Sequence, residues 1–108
     1  MGLDAISIGL AGFQAASTRV ESAAHNLANV QTRDFRPVRT RVTSVQGGGV
    51  EARSQRAPRP EAVDPAREIV EVVQASAQAR SSMRVSQAGV ELVMLVLPNK
   101  GGKLDVRA

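Results

Sequence analysis

Val63-Asp64-Pro65-Ala66-Arg67-Glu68-Ile69-Val70-Glu71-Val72-Val73-Gln74 opens a run that continues without Gly or Pro to Gly89 and without Pro to Leu97. Asp64 is placed to cap a helix N-terminus, because its carboxylate accepts the free backbone N–H groups there. Pro65 then takes the first helical position, where its missing N–H costs nothing. Glu68 and Glu71 put negative charge near the positive end of the helix dipole. Pro98 and Gly101-Gly102 supply a stop. The reading is one helix over 63–97, about 33 residues and ~50 Å long. Within it Ile69, Val72, Ser76, Ala79, Met83, Ser86, Val90, Val93 and Leu97 step by three and four. A 3.5-residue seam of that kind needs a partner helix, in the same chain or in another subunit.

The first 32 residues hold a matching seam: Leu3, Ile6, Leu10, Phe13, Ser17, Val20, Ala24 and Leu27. The expectation is a second long helix lying against the first. Leu10, Phe13, Val20 and Leu27 would then pack against Val72, Met83, Val90 and Val93 within the subunit. Gly9 and Gly12 weaken this helix by about 1 kcal/mol each relative to Ala, and also permit close approach of another backbone. Asn26-Leu27-Ala28-Asn29 and the residues to Thr32 end it, since Asn amides compete for backbone hydrogen bonds. Phe35, just beyond, is placed to fold back on the last turn.

Residues 33–62 are too polar and interrupted for a helix. Val38, Thr40 and Val42 alternate with Arg39, Arg41 and Thr43, a period of two. Gln46-Gly47-Gly48-Gly49 reads as a turn and Val50 to Ser54 as a returning strand, so a short β-hairpin is expected, with Arg39 and Arg41 on one face. Ala57-Pro58-Arg59-Pro60 leads, extended, into the second helix. Residues 98–108 read as a disordered basic tail. The fold class is therefore mainly α: two long antiparallel helices joined by a short β-hairpin or extended connector.

Composition limits the function. The 108 residues include no Cys, Trp or Tyr and only two Phe. A core with so little aromatic bulk is thin, and partners are expected to complete it. Without Cys there is neither a disulfide framework nor a thiolate metal site. The start, Met1-Gly2-Leu3-Asp4, lacks a basic n-region and an apolar h-region, so no cleaved signal peptide is expected. The longest unbroken apolar run, Leu92 to Leu97, is too short to span a bilayer. The net charge of +4 is concentrated in residues 33–62, with seven Arg against Asp34, Glu51 and Glu61.

Chemistry finds little support. The single His, His25, has only Glu21 within a helical turn, which fits a surface contact. Ser81, Ser82 and Ser86 lack an adjacent base. The Gly47–Gly49 run has no following Lys-Ser/Thr and opens no helix, so it is not a phosphate cradle. Asp64, Glu68 and Glu71 read as a solvated helix start. No catalytic, cofactor or metal site is expected. The Arg-rich connector could track a nucleic-acid backbone, but stacking aromatics are missing there. A subunit interface, where guanidinium groups meet carboxylates, is the preferred reading.

The two ends together resemble a known family. Gly9-Leu10, Ala15-Ala16, Arg19-Val20 and Ala24-His25-Asn26-Leu27-Ala28-Asn29-Val30-Gln31-Thr32, with Phe35-Arg36 following, are similar to the signature of the bacterial flagellar rod and hook proteins, an Asn-Leu-Ala-Asn box followed by Thr and a Gly–aromatic pair. Val63-Asp64, Glu68-Ile69-Val70 and Gln74-Ala75 resemble that family's terminal helix, and the short connector is most similar to its proximal-rod members. The resemblance covers about two thirds of the chain. It implies a structural, non-enzymatic axial subunit whose terminal helices pair as an antiparallel coiled coil. It also implies partners among other rod subunits and further copies of the chain, and export by the flagellar type III apparatus to the basal body. Asn26 and Asn29 would then fix the helix exit and the contact with the next subunit. Asp34 stands where the family usually has Gly, Ala79 where it has Tyr, and Ser82 where it has Asn.

Overall fold

The computed structural model describes residues 2–97. Four elements follow in chain order: α1 (Gly2–Ala28), β1 (Val38–Ser44), β2 (Val50–Arg56) and α2 (Pro65–Val96). The chain is mainly helical, with a two-stranded antiparallel sheet between the helices. The tail expected over 98–108 lies outside the described residues.

α2 begins as its sequence requires. Asp64 is extended, and its carboxylate accepts from the Ala66 N–H at 3.1 Å, with Pro65 opening the helix. α1 ends at Ala28, and the following backbone tightens into turns through Asn29 N–H to Asn26 O and Thr32 N–H to Asn29 O, both 3.0 Å. Asn29 Nδ2 donates to the His25 carbonyl at 2.9 Å and Thr32 Oγ1 donates to Asn29 Oδ1 at 2.9 Å. The His25 carbonyl, one of the free groups at the helix C-terminus, is thereby satisfied. Asp34 follows with φ of +55°, the left-handed region that Gly enters freely and that short polar side chains tolerate best.

The expected hairpin forms. Val38 faces Arg56 and Ser44 faces Val50, and Gly47, Gly48 and Gly49 all carry positive φ through the turn. The inner face of the hairpin rests on α1: Ser22 Oγ lies 2.6 Å from Thr40 Oγ1 and 3.2 Å from Ser54 Oγ, and those two are 3.0 Å apart. The turn reaches Ile8 and Ala11 on the same helix.

α1 and α2 meet along a different seam from the one expected. The buried positions of α1 include Gly2, Gly9, Ala16 and Ala23, seven residues apart, with Gly12 between and Asn26 beyond. Those of α2 are Glu68, Ala75, Ser82 and Gly89, again seven apart. Both lines sit one residue before the apolar seams read from sequence, and one residue turns a helix face by about 100°. A Cβ added at Gly9 would stand 2.7 Å from both Ser82 O and Ser86 N, and one at Gly89 would stand 2.7 Å from Gly2 O. The two backbones therefore touch, which only hydrogen or methyl side chains permit. Ser86 Oγ donates to Ile6 O at 3.4 Å and Gln78 Nε2 to Gly12 O at 3.5 Å across the contact. Gly2 lies beside Gly89 and Val93, Gly9 beside Ser82, and Arg19 beside Glu71. Position numbers thus rise along one helix as they fall along the other.

Candidate assembly interface

The small-residue seam turns the large apolar side chains outward. Leu10 is 51% exposed and Met83 52%, and Phe13, Ile69 and Val90 are also exposed. The expectation that Leu10 and Phe13 pack against Met83 and Val90 inside the subunit is corrected. Period alone weighs large residues most heavily, but the geometry rewards the closest backbone approach. Val20, Leu27, Val72 and Val93 flank the seam and are half-buried, and Val93 Cγ2 faces Gly2. Further along, Leu3, Leu92, Val93, Val96 and Leu97 surround an apolar cleft of about 700 Å³ beside Gly2. The outer faces of both helices thus present Leu, Val, Met and Phe that nothing in the described chain covers.

Asn26 is fully buried, so it is turned inward and not toward a neighbouring subunit as the box reading supposed. Its Nδ2 donates to Val38 O and its Oδ1 accepts from Val38 N–H, each at 2.8 Å. Phe35 does return to the end of α1. Its ring centroid lies 5.5 Å from that of His25, and the Arg56 guanidinium carbon sits 5.8 Å from the same Phe35 centroid, a cation–π geometry.

Two ionic groups lie between the elements, and sequence reading missed both. Arg19 spans to α2: Nε meets Glu71 Oε2 at 2.8 Å, Nη2 meets Glu71 Oε1 at 3.2 Å, and Nη1 donates to Gln78 Oε1 at 2.6 Å. The hydrogen bonds from Arg19 hold the Glu71 carboxyl below its ordinary range against the opposing pull of burial; the same fork raises Arg19. Glu68 is only 4% exposed, so the solvated helix start read for Glu68 and Glu71 is corrected. Arg39 reaches it at 3.5 Å and Glu61 at 3.5 Å. Only part of the signal was present: Glu68 falls on the seven-residue line of small residues in α2, whereas Glu71, Gln78, Arg39 and Glu61 do not.

Arg41 shares the outer hairpin face with Arg39. It stands directly across from Arg53, and Arg39, Arg41, Arg53 and Arg67 border one cleft of about 540 Å³. Like charges directly opposite on a sheet are destabilising. Arg53 is drawn to Glu51 at 2.7 Å.

Among the described residues no group of three or more His, Cys, Asp or Glu is placed to hold a metal ion. No helix among them is long and apolar enough to cross a membrane. Compared with known proteins, the chain matches no protein-family model and no curated relative.

Proposed function

We propose that the chain is a structural, non-enzymatic subunit of an axial assembly of the flagellar basal-body rod type, its two helices forming an antiparallel, coiled-coil-like hairpin. One observation carries the reading: small residues close the helix pair, and the large apolar side chains Leu10, Phe13, Met83 and Val90 face away from it. Burying such side chains against neighbours is worth about 1.5–3 kcal/mol each, so the exposed stripe favours assembly with further subunits. The Asn26 and Asn29 box, resembling that of the rod proteins, contributes by holding the exit of α1 and the hairpin in one geometry. On this reading the partners are other rod subunits, copies of the chain and the export apparatus, and the site of action is the basal body.

Two measurements test it. Circular dichroism with sedimentation velocity over a concentration series should show helix content rising with assembly. A cooperatively folded monomer at every concentration would count against it. Purified basal bodies from the source cell should contain the chain, and their lacking it would remove the flagellar assignment.

A second reading rests on the Arg39, Arg41, Arg53 and Arg67 cleft, which fits a polyanion such as a nucleic-acid backbone. Binding to DNA or RNA that falls steeply with salt would support it and displace the first.

A further inference from the structure

The chain ties down one end of the hairpin's β1 edge, at Val38, and leaves the β2 edge open. Ala57 N–H donates to Pro37 O at 2.7 Å and Val45 N–H to Gly49 O at 3.1 Å. Arg39–Gln55, Arg41–Arg53 and Thr43–Glu51 fall on the same two-residue phase. Residues on that phase bond across the hairpin, so their neighbours Val38, Thr40 and Val42 in β1, and Val50, Ala52 and Ser54 in β2, turn N–H and C=O outward. On β1 the Asn26 amide takes both groups of Val38. On β2, among the described residues, no other segment bonds the outward groups of Val50, Ala52 or Ser54. An exposed strand edge of this kind is a template for another strand.

We infer that this edge pairs with β2 of a second copy, antiparallel about Ala52. Ala52 would face its own twin in a hydrogen-bonded pair, which is the phase its outward N–H and C=O require. The register then sets Glu51 of each copy opposite Arg53 of the other. The strand is self-complementary in charge about that one centre. Pairing about Arg53 instead would oppose Arg53 to itself, and would call for bonds from groups already engaged with β1. The like-charged Arg41 and Arg53 would gain a carboxylate beside them from the second copy. A groove of about 470 Å³ beside the β2 edge, bordered by Ala11, Phe13, Gln14 and Ser17 of α1, offers room for the inward side chains of the added strand.

This surface meets the helix stripe only at Phe13 and shares neither Leu10 nor Met83 with it. A two-fold pair has no polarity, so it belongs to free chains and competes with a polar filament. Sedimentation equilibrium of the full chain from micromolar to millimolar, at low salt, tests it. The wild type should show a monomer–dimer equilibrium. Arg53→Glu opposes like charges across the two-fold and should weaken the dimer by about tenfold or more, while relieving Arg41 within the hairpin, so unfolding cannot explain the loss. The double variant Glu51→Arg/Arg53→Glu should restore pairing. Ala52→Pro deletes an outward N–H that β1 does not use and should leave a folded monomer. Leu10→Gln/Met83→Gln, which blunts the helix stripe, should leave the dimer intact. A wild type monomeric to millimolar, a dimer untouched by Ala52→Pro, or no rescue in the double variant would each overturn the inference. A dimer lost in Leu10→Gln/Met83→Gln but kept in Ala52→Pro would place self-association on the stripe instead.

Discussion

The side-chain amide of Asn26 pairs with the backbone of Val38 as a neighbouring strand would, giving one 2.8 Å bond and accepting another. A helix residue thus completes the edge of a sheet. Asn is the only uncharged side chain besides Gln that offers donor and acceptor side by side, and Gln would need room for one more methylene in a site with none exposed. Asn26→Ala leaves both Val38 groups unpaired and is expected to cost about 2–6 kcal/mol, at 1–3 kcal/mol for each group. Asn26→Asp keeps the acceptor but turns an oxygen on Val38 O, and should cost as much. Urea unfolding followed by circular dichroism measures both, and hydrogen exchange at Val38 locates the loss.

Acid should loosen the helix pair through Glu71. Its folded carboxyl is held below the ordinary value of 4.5 by Arg19. Protons therefore bind the unfolded chain first, and the contribution is whole above that value and fades as pH falls through the lowered one. Glu71→Gln should be less stable than the wild type at pH 7, and the gap should narrow as pH drops below about 4.5. Thermal melts at pH 7, 4.5 and 3 show whether the curves converge; parallel curves would mean that the fork does not stabilise the fold.

Gly9→Ala opposes two effects. Ala raises helix propensity by about 1 kcal/mol, but its Cβ would stand 2.7 Å from Ser82 O and Ser86 N. Backbone cannot move aside as a side chain does, and overpacking of this kind costs about 1–3 kcal/mol. Net destabilisation is expected, and Gly9→Val should be worse. Ser7→Ala, on the exposed side of α1, should change the midpoint little. If Gly9→Ala stabilised the chain, the backbones would not be in contact there.

Asp34 holds a backbone conformation with φ of +55°. A β-branched residue suffers there, so Asp34→Val is expected to lose about 1–2 kcal/mol. Asp34→Gly should be near neutral, because easier access to the left-handed region offsets the greater freedom of the unfolded chain. Denaturant midpoints of the two variants should differ in that order.

Element types were legible because each had a local cause. Asp64-Pro65 begins α2, Gly47–Gly49 turn the hairpin, and the alternation of Val38, Thr40 and Val42 marks a strand. The packing face was not. Hydrophobic period points to the stripe with the largest side chains, and here two such stripes exist a residue apart, one of Leu, Val, Met and Phe and one of Gly, Ala and Ser. The second wins inside the subunit because it lets two backbones meet, and nothing in a single helix announces that choice. The partnership of Arg19 with Glu71 and Gln78 depends on the same rotation, so it was hidden with it. Asn26 was singled out for a contact with the next subunit; its target, a strand twelve residues on, is a property of the folded chain.

The glycine, alanine and serine contact has a mechanical corollary. Because one small residue resembles the next every seven positions, sterics alone would let α1 slide along α2 by two turns and find another acceptable seat, Gly9 against Ala75 in place of Ser82. What opposes the slip are the polar marks set along the seam: the Arg19 fork on Glu71 and Gln78, the Gln78 bond to Gly12 O and the Ser86 bond to Ile6 O. The seam acts as a smooth rail, and these few polar groups serve as its detents.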